Sequence, residues 1–186
     1  MNATPVPRLL TAEEFFAKHE DHHAELVDGI VVWVDTVPSV RHGELCASIA
    51  CEIGNFVIDN DLGRVCSNDT FVLTRRNPDC VRGPDVLFVS FSRMPKGRAP
   101  KGLSDIVPEL AVEVMSPSND WSKIFIKVGE YLQAGVLAVV VLDPESATAS
   151  VYRKDELQQI FDNGDALVVP DVLPGFAVPV KKLFGL

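Results

Sequence analysis

Apolar residues recur along this chain with two periods, and each change of period marks an expected element boundary. Leu45, Ile49, Ile53 and Val57 fall every fourth residue, the spacing that lines one face of an α-helix. Pro38 and Ser39 precede this run and Asp61-Leu62-Gly63 follows it. A helix is therefore predicted to begin near Val40 and to stop before that glycine. Ile124, Val128, Tyr131 and Leu132 mark a second buried helical face, with Gly135 placed just past the helix end. A shorter helix is predicted to run to about His19, because Thr11 and Glu14 have capping-box spacing.

The strands are read from shorter apolar runs. Residues 24–27 and 30–34 flank Asp28-Gly29, the dipeptide that favours a type I′ hairpin turn. Residues 64–73 are predicted as a strand, followed by a turn at Asn77-Pro78-Asp79. Residues 84–89 form another, with Asp85 at its entrance, and residues 136–142 a third, closed by Asp143-Pro144. Residues 109–136 read as a buried strand, a tight Ser116-Pro117-Ser118 turn, an amphipathic helix and a glycine stop. A strand, helix and strand so closely joined suggest a βαβ unit with a right-handed crossover and a parallel pair. Residues 148–184 read as further strands, with Asn163-Gly164 as a hairpin turn. Between 91 and 108 lies a loop rich in proline, glycine and basic residues. Loops of that length in compact domains are functional or disordered. No repeat, low-complexity segment or linker divides the 186 residues, so one domain, 1–186, with a substantial core is expected.

Composition narrows the function classes. With 47% apolar residues, no apolar run reaches bilayer length, and proline and arginine interrupt the N-terminus before it can resemble a signal peptide. Cys46, Cys51, Cys66 and Cys80 contain no CxxC pair and no zinc-ligand spacing with the histidines, so reduced thiols in a cytoplasmic protein are expected. The cluster His19, His22 and His23 reads as a polar helix end, since no second ligand group accompanies it. A net charge of −9 argues against a general nucleic-acid coat protein. Yet Arg75, Arg76, Arg82, Arg93, Lys96, Arg98 and Lys101 are accompanied over 75–101 by only Asp79 and Asp85. Such a basic island reads either as an anion site or as a solvated loop.

Two acids stand apart from the surface charge. Glu113 lies among Ala111, Val112, Val114 and Met115, where an unpaired carboxylate is costly. Asp85 opens a hydrophobic run. Convergent carboxylates on neighbouring strands make an oxygen site suited to Mg²⁺ or Mn²⁺, which can activate water for phosphodiester hydrolysis. The competing readings are a turn or cap acid for Asp85 and a buried Glu–Lys pair for Glu113. For His42, a helix-start or core histidine is the default.

Together these residues resemble the PD-(D/E)XK motif of restriction-endonuclease-like nucleases and, more narrowly, the Uma-type putative restriction endonucleases. The resemblance covers nearly the whole chain. It rests on residues 25–29 (ELVDG), His42, Pro84-Asp85-Val86, residues 113–118 (EVMSPS), Lys127, Tyr131, Ala134-Gly135-Val136 and Leu142-Asp143-Pro144. It implies an α/β (α+β) fold with an αβββαβ core around a mixed sheet flanked by helices, here with an N-terminal hairpin and C-terminal strands. It also implies divalent-metal-dependent cleavage of DNA. Asp85 and Glu113 would be the metal ligands, Glu25 an additional ligand and His42 a helper near the metal. The motif's lysine slot, two residues after the glutamate, holds Met115. The resemblance moves that lysine to the following helix at Lys127, with Lys123 one turn earlier as the fallback. The basic island would hold DNA phosphates beside the metal, and a homodimer would cut both strands of a duplex. Met115 and the acidic charge favour the alternative, a catalytically silent binding or assembly module on the same scaffold.

Overall fold

In a computed structural model, residues 8–20, 22–34, 39–116 and 120–186 are described. Pro38 and the Pro117-Ser118 part of the expected turn lie outside them. The chain opens with helix α1 (Ala12–His19), whose Thr11 and Glu14 form the expected capping box. Strands β1 (Ala24–Val27) and β2 (Ile30–Trp33) form the expected antiparallel hairpin. Asp28 and Gly29 both take left-handed backbone conformations, φ 53° and 75°, as a type I′ turn requires. Helix α2 (Val40–Asp59) is capped by the Ser39 side chain and buries Leu45, Ile49, Ile53 and Val57.

The predicted strand at 64–73 is two strands. β3 (Gly63–Ser67) and β4 (Val72–Arg75) belong to different sheets. Asn68 and Asp69 between them adopt φ 58° and 55°, a left-handed bend that short polar side chains tolerate and that breaks an extended run. A short strand β5 (Cys80–Arg82), not expected from the sequence, then pairs with both β4 and β1. β6 (Val86–Ser90), β7 (Leu110–Val114), helix α3 (Trp121–Ala134) and β8 (Ala138–Asp143) follow. β7 and β8 are parallel, as the βαβ reading requires, and Gly135 ends α3 at φ 103°.

After β9 (Thr148–Tyr152) and β10 (Gln159–Phe161) come β11 (Ala166–Val168), β12 (Ala177–Pro179) and the short helix α4 (Val180–Leu183). Asn163-Gly164 does not close a hairpin. β10 pairs with β9 while β11 pairs with β12, so the turn passes between two sheets.

The large sheet has the order β10-β9-β8-β7-β6-β3, and a smaller one has the order β2-β1-β5-β4. The αβββαβ order is present as α2, β3, β6, β7, α3 and β8. Strand alternation gives the large sheet two apolar faces. Val86, Phe88, Leu110, Val112 and Val114 pack with α2 and the C-terminal elements. Leu87, Val89, Ala111 and Met115 pack with Ile124, Val128 and Tyr131 of α3. Glu113 shares parity with Ala111 and Met115, so it falls on the α3 face.

Candidate active site

The register of β6 and β7 places the two acids together. Val86 lies opposite Val112 and Leu87 opposite Ala111; Asp85 immediately precedes this ladder, lines the same cavity as Glu113 and acts on it by its charge. The Val114 N–H donates to Asp85 Oδ2 at 2.6 Å, which fixes the carboxylate beside the end of β7.

On the α3 side, Lys127 falls at i+3 from Ile124 and i−4 from Tyr131, within the buried stripe. Its ammonium lies 3.3 Å from Glu113 Oε2 and 2.9 Å from Glu25 Oε1. The Tyr131 hydroxyl donates to Glu113 Oε1 at 2.8 Å. The lysine that the motif places on the strand thus arrives from the helix, and Met115 fills its strand position with core packing. Lys123 is exposed one turn earlier.

Glu25 arrives from β1 of the small sheet. It accepts from Arg82 Nη1 at 2.7 Å and from the Gly83 N–H at 3.4 Å. Arg82 in turn grips Glu130 of α3 with Nε and Nη2, at 2.5 and 3.0 Å. This buried knot ties both sheets to α3. Gly83 is needed at the crossing between the sheets, because a Cβ there would come within 2.9 Å of the Asp69 carbonyl oxygen.

Burial and neighbouring charge set the protonation of the knot. Burial pushes Glu113, 3% exposed, up to about 7; the Lys127 ammonium opposes this, and Asp85 and Glu25 reinforce it. Burial also raises Glu25, yet Lys127 and Arg82 outweigh it and hold that carboxyl below its ordinary value. Lys127 itself is held above the usual lysine range: burial disfavours its charge, but Glu113 and Glu25 more than compensate.

A second cluster reaches Asp85 from α2. His42 Nε2 lies 3.4 Å from Asp85 Oδ1, and this contact raises the imidazole above its ordinary value. Cys46, one turn on, places Sγ 3.4 Å from His42 Nδ1. Burial, then the charge of Asp85, pushes the Cys46 thiol up. The three side chains offer one ligand atom each within 4.8 Å of one another. The cysteine–histidine spacing expected to be absent is therefore present as an i,i+4 pair completed from another element. His19 and His22, by contrast, pack their rings against each other and against Trp33.

Glu25, His42, Asp85, Glu113 and Lys127 line one cavity of about 570 Å³. Met94, Ala99, Pro100, Gly102, Leu103 and Ser104 of the long loop line it too. The basic island is mostly consumed by ion pairs. Arg75 meets Asp28, Arg76 meets Glu13, Asp79 and Asp105, Arg93 meets Glu109, and Lys96 meets Asp61. Arg82 is buried in the knot rather than facing solvent. Arg98 and Lys101 are exposed beside the lining loop residues, outside the ion pairs found among the described residues. Among those residues no helix is long and apolar enough to cross a membrane.

Comparison with known proteins agrees with this architecture. The family model Uma2, described as a putative restriction endonuclease, matches residues 10–181. No curated protein matches the chain. Among solved structures it is similar to a putative nuclease belonging to DUF820 from Anabaena variabilis ATCC 29413. The TM-score is 0.78 at 24% identity, covering 95% of this chain and 98% of that one, a likeness that shows the fold. The chain belongs to the Uma2 family of putative restriction endonucleases.

Proposed function

We propose that this Uma2-family chain, acting as one domain over 1–186, is a divalent-metal-dependent endonuclease that hydrolyses DNA phosphodiester bonds. The observation that carries the reading is the meeting of Asp85, Glu113 and Lys127 on one cavity, from strand entrance, strand and helix. Asp85 and Glu113 are the proposed ligands of Mg²⁺ or Mn²⁺. The donor set fits: it is all oxygen, and the charge of Asp85 reinforces the raised proton affinity of Glu113, a repulsion that a divalent cation between them would relieve. Glu113 Oε2 keeps acceptor capacity beyond its contact with Lys127. When bound, such a cation supplies Lewis acidity toward the phosphodiester.

The chain's own residues do the rest. Lys127, held by Glu25 and Glu113, places a fixed positive charge where the phosphorane-like transition state gathers negative charge, and it helps orient the attacking water. Tyr131 and the Val114 N–H hold the two carboxylates in position. Glu25 serves as the anchor of Lys127, and His42 as the helper on the other side of Asp85. Arg98 and Lys101 are the proposed phosphate contacts at the cavity rim, and a two-fold homodimer would address both strands of a duplex.

The rival reading is a catalytically silent module, favoured by one observation: the Lys127 ammonium and the Tyr131 hydroxyl already partner Glu113 with no need of a metal ion. Cleavage of duplex and single-stranded DNA with Mg²⁺ or Mn²⁺, with and without chelator, separates the two. The expected result is metal-dependent cleavage that Asp85→Ala abolishes. Cleavage unchanged in that variant would sink the assignment.

A further inference from the structure

The corner formed by His42, Cys46 and Asp85 contains a thiol that the proposed nuclease site does not use. A carboxylate pair for Mg²⁺ or Mn²⁺ has no need of sulfur, and hard cations do not seek thiolates. Here, however, a cysteine stands one helical turn from a histidine that already touches the shared aspartate. His42 Nε2 is 3.4 Å from Asp85 Oδ1 and 3.9 Å from Cys46 Sγ. All three ligand atoms fall within 4.8 Å of one another. A tetrahedral ion with roughly 2.0 Å bonds to nitrogen and oxygen and roughly 2.3 Å to sulfur has ligand-to-ligand edges of about 3.3–3.6 Å. Two of the three edges are within a few tenths of an ångström of that figure before any adjustment.

The surroundings also suit an ion. All three residues are part-buried rather than solvent-washed, and His42 and Asp85 line the cavity, so a fourth ligand can come from solvent. Ser39 caps the first turn of α2 by accepting from the His42 N–H, which fixes the backbone that carries both His42 and Cys46.

We propose that His42, Cys46 and Asp85 form a second metal site, selective for a borderline-soft divalent cation such as Zn²⁺ or Co²⁺ over Mg²⁺. Three protein ligands with a fourth position open to water is the pattern of zinc sites that are not purely structural. Binding converts the Cys46 thiol to thiolate, with its proton released to solvent. Because Asp85 belongs to both sets, a soft ion here and a hard ion between Asp85 and Glu113 compete. That corollary, unlike the site itself, rests on the nuclease reading.

The test is a titration of the full chain with Co²⁺ alone, followed by the thiolate-to-cobalt charge-transfer band in the near ultraviolet. One equivalent is expected to bind with the band present, and Zn²⁺ to bleach it. Cys46→Ser should remove the band and weaken binding by at least about 100-fold, the upper end of what an outer-shell change alone costs. Cys51→Ser, on the same helix, should keep the band. Glu113→Gln should also keep it, so failure of the carboxylate-pair reading and failure of this one leave different traces. X-ray absorption on the cobalt-loaded wild type should count one sulfur ligand, a readout that needs no variant to fold. No sulfur ligand in folded wild type at excess Co²⁺, or a band that survives Cys46→Ser, overturns the proposal.

Discussion

The two sides of Asp85 and Glu113 are built differently. On the α3 side, Glu25, Arg82, Glu113, Lys127, Glu130 and Tyr131 form a buried knot in which each charge has a named partner. On the α2 side, at the cavity edge, His42 and Asp85 are no more exposed than Lys127, but they meet through a single, longer contact of 3.4 Å. Removing one member of a buried ion pair strands the other and costs about 3–5 kcal/mol. A single long contact that lines the cavity can exchange its partner for a water held there, at smaller cost than breaking the knot. The knot therefore fixes Lys127, and the edge leaves Asp85 able to change partners.

The sharpest way to break this contrast is Lys127→Ala. It should destabilise the fold by about 3 kcal/mol or more, by leaving Glu113 buried without its cation and Glu25 with Arg82 alone, and it should also abolish cleavage. Chemical denaturation read beside the cleavage assay checks both. A stable but inactive variant would show that the knot is not structural. Asp85→Asn is expected to separate the two effects. Cleavage should fall on the order of 10³-fold, the loss of several kcal/mol of transition-state stabilisation, while the denaturation midpoint moves little.

The pH dependence comes next in size. Glu113 holds its proton up to about 7 in the folded chain, against 4.5 as its ordinary value. The folded state therefore binds more protons across that window, and metal-free stability should fall as pH rises through it. His42, raised by Asp85, adds a loss of the same sign at higher pH, as it deprotonates above its ordinary 6.5. Cation affinity should move the opposite way, rising as Glu113 ionises. Urea midpoints between pH 4.5 and 7 should slope downward in the wild type and flatten in Glu113→Gln. An equal slope in both would remove Glu113 as the titrating group.

The smallest effect belongs to the rim. Replacing Arg98 and Lys101 together by alanine should weaken DNA binding, with a salt slope reduced by roughly 2, and leave the denaturation midpoint unchanged. An unaltered slope in a binding titration over salt would move the phosphate contacts elsewhere.

What the sequence disclosed tracks how local each signal is. The stripe of Leu45, Ile49, Ile53 and Val57 and the Asp28-Gly29 turn depend on neighbours a few residues away, and both appear as expected. The family, and with it the αβββαβ core, was legible from the Glu-Val-x-Ser-Pro-Ser and Lys-x-x-x-Tyr spacing around Glu113 and Lys127. The small sheet was not legible. Its β5 is three residues long, and Asn68-Asp69 interrupts what reads as one continuous strand. Arg82 was misplaced for a related reason. Counting charge along the chain assigns it to an anion-binding loop, whereas its partners Glu25 and Glu130 lie 57 and 48 residues away. Tyr131 was placed correctly on the buried face of its helix, but the role of its hydroxyl needed the position of Glu113. Cys46 was overlooked because its i,i+4 spacing from His42 acquires meaning only when Asp85 arrives from another element.

Asp85 and Glu113 are proposed to hold one divalent cation between them. Isothermal titration of Mn²⁺ into the metal-free chain at pH 8, where Glu113 is ionised, tests it most directly. Saturable binding is expected in the wild type and its loss in both Asp85→Asn and Glu113→Gln, with Cys46→Ser included to exclude the sulfur-containing corner. A folded wild type that takes up no Mn²⁺ at millimolar concentration would contradict it, and would leave Glu113 and Lys127 as a plain buried ion pair.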